Sequence, residues 1–205
     1  MARKEGIHIS HVVSIKIEVR DLEALRRAAE SLGLEFRNGQ RSHRWYGRWV
    51  GDHPLPEGIT TDQLGKCDHA LAVAGNSNAY EIGIVGQQDG SYRLLYDFWQ
   101  GGYGLQEKVG KDCSKLIEAY AVEKTKIECE RLGWLREQQP DGSLLVYHPD
   151  GGTITVSRSG EIEAIQFQGT ACSLATAPLA GALGQRIGEQ RKREWGHEQQ
   201  SVGQG

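Results

Sequence analysis

The stretch VVSIKIEVRDLEALRRAAESLG, residues 12–33, decides the fold class because it contains two hydrophobic periods in succession. Ile15 and Ile17 alternate with charged residues, which is typical of a strand with one buried face. From Asp21 onward the apolar residues recur every three or four positions, which predicts an amphipathic helix. Asp21 is placed to cap this helix and Gly33 to end it. A strand followed directly by a helix predicts a chain that mixes helices with a sheet.

Antiparallel strands are predicted in the segments CDHALAVAG, YEIGIVGQ and SYRLLYDFW, which span residues 67–99. The dipeptide Asp89-Gly90 lies between the last two segments and is a strong signal for a hairpin with a two-residue turn. Between residues 34 and 64 the pattern breaks up and glycine and proline are frequent. We expect a short strand around residues 44–49 there, followed by a long surface loop.

The second half of the chain predicts a long helix, two further hairpins and a final helix. Residues 112–132 carry one apolar stripe that includes Leu116 and Tyr120, opposite a charged face. Glycine-containing turns near residues 141, 151 and 160 then separate four short apolar segments. The last helix should start after Thr170, and Pro178 should kink it or delay its start.

These elements predict an α+β fold with one antiparallel sheet, two main helices on one face, and a C-terminal ββα unit. The α+β domain is expected to cover residues 10–148. The ββα unit would occupy residues 149–195, possibly continuing the same sheet, and residues 196–205 would form a frayed tail.

Composition and charge exclude several broad classes of protein. The chain has 205 residues and a formal charge of −3, so it has no overall attraction to nucleic acid or anionic lipid. No apolar run approaches the ~18 residues of a membrane span, and the start lacks the apolar run of a signal peptide. The four cysteines are widely separated, which favours reduced structural thiols. These features predict a cytoplasmic protein without a membrane partner.

The candidate partner-binding residues are those where arginines and tryptophans interleave. They are Arg41, Arg44, Trp45, Arg48 and Trp49. Such a mixture could stack on bases and grip phosphates. On a strand, however, the arginines would share a solvated face while both tryptophans packed inward. Since the chain is acidic overall, a protein partner is favoured over nucleic acid.

No motif for catalysis, a metal or a cofactor emerges. The loop WQGGYG lacks the lysine and spacing of a phosphate-binding loop. His8 and His11 would point to opposite faces of a strand, which argues against a shared metal ion. Cys172 at a helix start could be a reactive thiol, although a small buried cysteine explains the same residue. We therefore predict no catalytic residue, metal or cofactor.

Two blocks of the chain resemble a family of uncharacterised proteins from cyanobacteria, other bacteria and red algal plastids, one of the hypothetical chloroplast open reading frame families. The blocks are SHVVSIKIEVRDLEALRRAAESLGL and YEIGIVGQQDGSYRLLYDFWQ, and a helix containing Tyr120 continues the similarity. The resemblance covers about residues 10–148. Its matching positions, of unknown role, include Ser10, His11, Asp97, Trp99 and Tyr120.

The segment after residue 152 is similar to a second small bacterial family of unknown function. Gly160, Gly169, Cys172 and Leu183 match its pattern, whereas Pro178 departs from it. The two families look like genomic neighbours, often beside genes for AAA-type ATPases, and this chain resembles a fusion of both. The resemblance implies work within one assembly but names no reaction.

These observations favour a non-enzymatic adaptor or assembly subunit that binds other proteins, with an AAA-type ATPase or its complex as the implied partner. A nucleic-acid or nucleotide-binding accessory protein is the first alternative. An enzyme with a dispersed site is the second.

Overall fold

The fold contains two antiparallel sheets and four helices within the residues that the structure describes. A computed structural model describes residues 12–48, 51, 54–55, 58–165 and 172–183. The first sheet has the order β1-β5-β4-β3-β2 and the second the order β6-β7-β8-β9. The strands are β1 (Val12–Val19), β2 (Leu34–Arg37), β3 (His69–Val73), β4 (Ile82–Gly86), β5 (Tyr92–Asp97), β6 (Leu135–Gln138), β7 (Leu144–Tyr147), β8 (Thr153–Val156) and β9 (Ile162–Ile165). The helices are α1 (Leu22–Ser31), α2 (Leu105–Val109), α3 (Ser114–Leu132) and α4 (Cys172–Ala182). The predicted α+β class is confirmed.

Helix α1 forms as its sequence predicts. The Asp21 carboxylate accepts hydrogen bonds from the backbone N–H groups of Glu23 and Ala24, each at 3.0 Å, and so caps the first turn. Gly33 has a φ of 75°, the left-handed conformation that commonly follows the last helical turn. The buried face consists of Ala24, Leu25, Ala28 and Ala29. This face packs α1 against α3 and the first sheet.

The two faces of the first sheet have different coverings. On one face, Leu71, Ile82 and Leu94 belong to a core that α1, α2 and α3 complete. On the other face, Gly83 pairs with Leu95, and both residues are buried. The described part of segment 38–68 covers this second face. The candidate site forms between that segment and the sheet.

Helix α3 is shared by two hydrophobic cores. Leu116 and Tyr120 belong to the first core, whereas Val122 and Cys129 belong to a second core. The other members of the second core are Leu144, Val146, Ile154, Val156 and Leu179. The prediction of one apolar stripe opposite a charged face was therefore wrong, because α3 buries side chains against both sheets.

Three further predictions need correction. Residues 44–48 form no strand, and the strand of this region is instead β2, ten residues earlier in the chain. Strands β8 and β9 extend the hairpin β6–β7 into a second sheet rather than continuing the first. The boundary predicted at residue 149 thus lies between the paired strands β7 and β8.

The last helix is not delayed by its proline. Helix α4 begins at Cys172 and runs through Pro178. The predicted frayed tail, residues 196–205, lies outside the described residues.

Candidate functional site

Two buried carboxylates lie side by side on the loop-covered face of the first sheet. Gly83 of β4 pairs with Leu95 of β5. Glu81 is two residues before Gly83 and Asp97 is two residues after Leu95, so the same register places them opposite each other on the same face of the sheet. Glu81 is only 3% exposed and Asp97 is fully buried. Because buried charges are costly unless they are hydrogen-bonded, the partners of these carboxylates define the site.

Glu81 holds the segment that crosses above it. Its Oε1 atom accepts a hydrogen bond from Arg37 Nη1 at 2.8 Å. Its Oε2 atom accepts from Gln40 Nε2 at 2.9 Å and from the backbone N–H of Arg44 at 2.8 Å. The Arg44 guanidinium is also within ion-pair distance, at 3.8 Å. Both carboxylate oxygens are therefore engaged in fixing residues 37–44 to the sheet.

Asp97, at the end of the neighbouring strand β5, also fixes the covering segment to the sheet. It accepts hydrogen bonds from the backbone N–H of Tyr46 at 3.2 Å and from that of Trp99 at 2.8 Å. One carboxylate thus connects the covering segment to the residues that follow β5. Tyr46 and Trp99 are held next to each other as a result.

The residues after Trp99 form a left-handed turn. The φ angles from Gln100 to Gly104 are 48°, 66°, 59°, 53° and 104°. The left-handed conformation costs a residue with a Cβ roughly 1–2 kcal/mol of conformational free energy, so Gln100 and Tyr103 are held in it by their surroundings. A Cβ on Gly102 would lie 3.1 Å from the Asp97 carbonyl oxygen, so only glycine fits easily. The turn is pinned further because the Tyr80 N–H donates to the Gly102 carbonyl oxygen at 2.9 Å.

Four aromatic rings and one arginine make a continuous row that we call the aromatic ladder. Its members, in spatial order, are Tyr80, Tyr103, Trp99, Tyr46 and Arg48. The ring centroids are 5.2 Å apart for Tyr80–Tyr103, 5.9 Å for Tyr103–Trp99 and 5.2 Å for Trp99–Tyr46. The Arg48 guanidinium lies 5.9 Å from the Tyr46 ring centroid. Tyr103 is 42% exposed, so the ladder reaches the surface.

Of the arginines predicted to bind a partner, two lie at the aromatic ladder and one lies away from it. Arg48 ends the ladder at Tyr46. Arg44 lies at the other end, where its Nη1 donates to the carbonyl oxygen of Ala79, the neighbour of Tyr80, at 2.7 Å. Arg41 is exposed and pairs with Asp68 at 3.0 Å, away from the rings.

Trp45 does not lie on a strand as predicted. Trp45 is half-buried, with its ring against Gly65. Trp49 lies outside the described residues.

The positions that match the family pattern fall in different places. Asp97 and Trp99 are part of the site. Tyr120 belongs to the first core, where its hydroxyl accepts a hydrogen bond from the Arg20 N–H at 3.1 Å. Cys172 is the first residue of α4. Ser10 and His11 lie outside the described residues.

Glu81, Tyr80 and Tyr103 were missed as site residues. A signal for Glu81 was present, since it is a lone acid directly before the apolar strand IGIVG. The positions of Tyr80 and Tyr103 depend on the left-handed turn, which the glycines of WQGGYG indicated only as a loop.

Two titratable side chains near the site, those of His43 and Cys67, have pKa values that burial shifts. Burial lowers the pKa of His43 to about 4, and neither ring nitrogen has a hydrogen-bond partner among the described residues. Burial raises the pKa of the Cys67 thiol to about 11, with Glu81 and Asp68 adding to the shift. Both side chains are therefore neutral near pH 7. Within the described ranges no three histidine, cysteine or acidic side chains are grouped to hold a metal ion.

Comparison of the chain with family models, with curated proteins and with solved structures finds no match. None of the described helices has the length and apolar character needed to cross a membrane.

Proposed function

We propose that the chain is a non-enzymatic adaptor or assembly subunit that binds another protein through the aromatic ladder and its flanking arginines. The observation that carries this proposal is a row of tyrosine and tryptophan that is exposed at Tyr103 and buried at Tyr80, with Arg44 and Arg48 at its two ends. Tyrosine, tryptophan and arginine are the residues that contribute most binding energy in protein interfaces.

The support beneath the ladder favours binding over catalysis. Glu81 and Asp97 accept hydrogen bonds from the segment they hold, which makes them structural anchors. Anchors of this kind reduce the conformational freedom that a binding surface loses when its partner docks. Rigid aromatic side chains lose little entropy as well, so the ladder is suited to tight contact.

The partner that the family resemblance implies is an AAA-type ATPase or its complex. Single-stranded nucleic acid is the second candidate, because aromatic rings interleaved with arginine also bind bases. A protein is favoured for two reasons. The exposed Tyr103 ring stands at 67° to Trp99 and 72° to Tyr80, so the row is not a flat stacking platform. The chain also has a formal charge of −3, which opposes a polyanion.

The proposal is tested by quantitative affinity purification with nuclease-treated extract of the source cells. Wild-type chain should retain a defined protein, and Tyr103→Ala and Arg48→Ala should each reduce its recovery by about tenfold. Tyr147→Ala is the matched control, since Tyr147 is 41% exposed and lies on the second sheet. Recovery that is equal in all four samples, or that occurs only when the extract is left untreated with nuclease, would refute the proposal.

A further inference from the structure

We propose that two copies of the chain associate through the free edge of strand β2, which pairs antiparallel with β2 of the second copy and joins both first sheets into one. Within the described part of the chain, β2 is the last strand of its sheet and pairs with β3 alone. An edge strand presents unpaired N–H and C=O groups, which are a template for a further strand. The pairing uses none of the rings of the aromatic ladder, so this inference goes beyond the proposed function.

The register of β2 with β3 shows which backbone groups face the free edge. This register sets Gly33 opposite Ala74, and the Ala74 N–H donates to the Gly33 carbonyl oxygen at 3.1 Å. Hydrogen-bonded and non-hydrogen-bonded positions alternate along an antiparallel pair. The backbone groups of Glu35 and Arg37 therefore point toward β3, whereas those of Phe36 point toward the free edge.

A two-fold pairing centred on Phe36 fits these groups. Phe36 of each copy would exchange N–H···O bonds with Phe36 of the other. The same register places Glu35 of each copy directly opposite Arg37 of the other, at a non-hydrogen-bonded position where side chains approach most closely. Because opposite charges at such positions attract, the strand is complementary to itself.

Other symmetric registers lack this attraction. Centring the pair on Glu35 or on Arg37 places that residue opposite its own copy, and like charges directly opposite each other are destabilising. Centring it on Leu34 places Glu35 opposite Gly33, so no ion pair forms. A shift by one residue would set the helix-covered face of one sheet against the loop-covered face of the other. The charge pattern thus selects the register centred on Phe36 and argues for a second copy rather than an unrelated strand.

Both charged side chains are available to a second copy. The side chain of Glu35 is 54% exposed and that of Arg37 is 39% exposed. Arg37 donates through Nη1 to Glu81 and through Nη2 to Glu35 of its own chain. A guanidinium has five N–H donors, so others remain for Glu35 of the second copy. The contacts within the chain also hold Arg37 in one position, which reduces the ordering cost of association.

Analytical ultracentrifugation of the full chain tests the association. A short edge strand makes a small interface, so the chain should be a monomer at about 1 µM and mainly a dimer at about 500 µM. A two-fold pairing closes on itself and should stop at the dimer. A chain that is still monomeric at about 500 µM, or that forms larger assemblies, would overturn the inference.

Charge reversals locate the interface. Glu35→Lys sets two cations opposite each other and should raise the Kd of the dimer at least about tenfold. Glu137→Lys is the matched control, because it changes the net charge equally at an exposed position of β6, an edge strand of the second sheet. This control and Tyr103→Ala, in the aromatic ladder, should leave the Kd unchanged. Equal weakening by both charge reversals, or loss of the dimer in Tyr103→Ala, would place the interface elsewhere and overturn the inference.

Hydrogen exchange tests the same edge without a variant. The Phe36 N–H should exchange more slowly at about 500 µM than at about 1 µM, because pairing protects it. The Arg136 N–H points away from β7 by the same alternation, and its exchange rate should not depend on concentration. An exchange rate at Phe36 that does not change with concentration would overturn the inference even if the chain dimerises. If affinity purification returns a partner while the chain remains a monomer, the proposed function stands and this inference falls.

Discussion

Replacing Glu81 by glutamine should destabilise the fold much more than the same replacement at the nearby Glu35. Both carboxylates pair with the Arg37 guanidinium, Glu81 at 2.8 Å and Glu35 at 3.2 Å. The side chain of Glu81 is 3% exposed and that of Glu35 is 54% exposed. The two substitutions are thus matched in chemistry and in partner, and they differ in burial.

The size of the Glu81→Gln effect follows from its hydrogen bonds. The carboxylate accepts from Arg37, from Gln40 and from the backbone of Arg44. A glutamine has one acceptor oxygen, so its NH2 group must face at least one of these donors. Loss of a charged hydrogen bond costs about 1.5–3 kcal/mol, and a donor left unsatisfied adds to this. Because Arg37 is partly exposed to water, we expect a total of about 2–4 kcal/mol.

Urea denaturation followed by circular dichroism measures this difference. For a small domain the free energy of unfolding falls by about 1–3 kcal/mol per molar urea, so the midpoint of Glu81→Gln should fall by about 1 M or more. Glu35→Gln should change the free energy of unfolding by less than about 0.5 kcal/mol, as exposed ion pairs generally do. A loss below about 0.5 kcal/mol in Glu81→Gln, or equal losses in both variants, would refute the role assigned to the buried carboxylate.

Three other predictions test the packing around the site. The pKa of His43 is lowered to about 4 by burial, so the unfolded state binds a proton below pH 6.5 and the native state does not. The free energy of unfolding of the wild type should therefore fall by about 3 kcal/mol relative to that of His43→Leu between pH 6.5 and pH 4. The same difference between the urea midpoints of the two proteins at pH 7 and at pH 4.5 would contradict this. Gln100→Gly should raise the free energy of unfolding by about 0.5–1 kcal/mol, because glycine adopts the observed φ of 48° without strain. A lower free energy of unfolding would show that the turn is not strained. Gly83→Ala should lower the free energy of unfolding by about 1–3 kcal/mol, because its Cβ would collide with the His43 imidazole. The loss should be smaller when His43 is also replaced by alanine. An equal loss with and without His43 would show that the covering segment does not lie there.

Elements with local signals could be predicted from the sequence. The Asp21 cap, the left-handed Gly33 and the apolar repeat between them all lie within thirteen residues of each other, so helix α1 followed directly. The hairpin at Asp89-Gly90 likewise depends on adjacent residues. Its loop has three residues rather than the two predicted, because the Gln87 N–H donates to the Ser91 carbonyl oxygen and the Gly90 N–H to that of Gln87.

Features that depend on distant partners could not be predicted. The predicted strand at residues 44–49 fails because the backbone N–H groups of Arg44 and Tyr46 donate to the carboxylates of Glu81 and Asp97 instead of to a strand. Strand β2 has only four residues, and its partner β3 begins more than thirty residues later. A short element with a remote partner has little periodicity of its own to reveal it.

The candidate site was predictable only in part for the same reason. Arg44 and Arg48 were identified from their clustering with aromatic residues, but the rings beside them come from three separate segments. Tyr46, Tyr80 and Trp99 become neighbours through the register of β4 with β5 and through two buried acids. No spacing in the sequence encodes those contacts.

Site-specific photocrosslinking tests most directly whether the aromatic ladder binds a protein. A benzoyl-phenylalanine residue placed at position 103 should form one defined protein adduct in living cells, because Tyr103 lies at the exposed part of the ladder. The same residue at position 147, which is equally exposed on the second sheet, should not form that adduct. The same adduct from both positions, or none from position 103, would contradict the account.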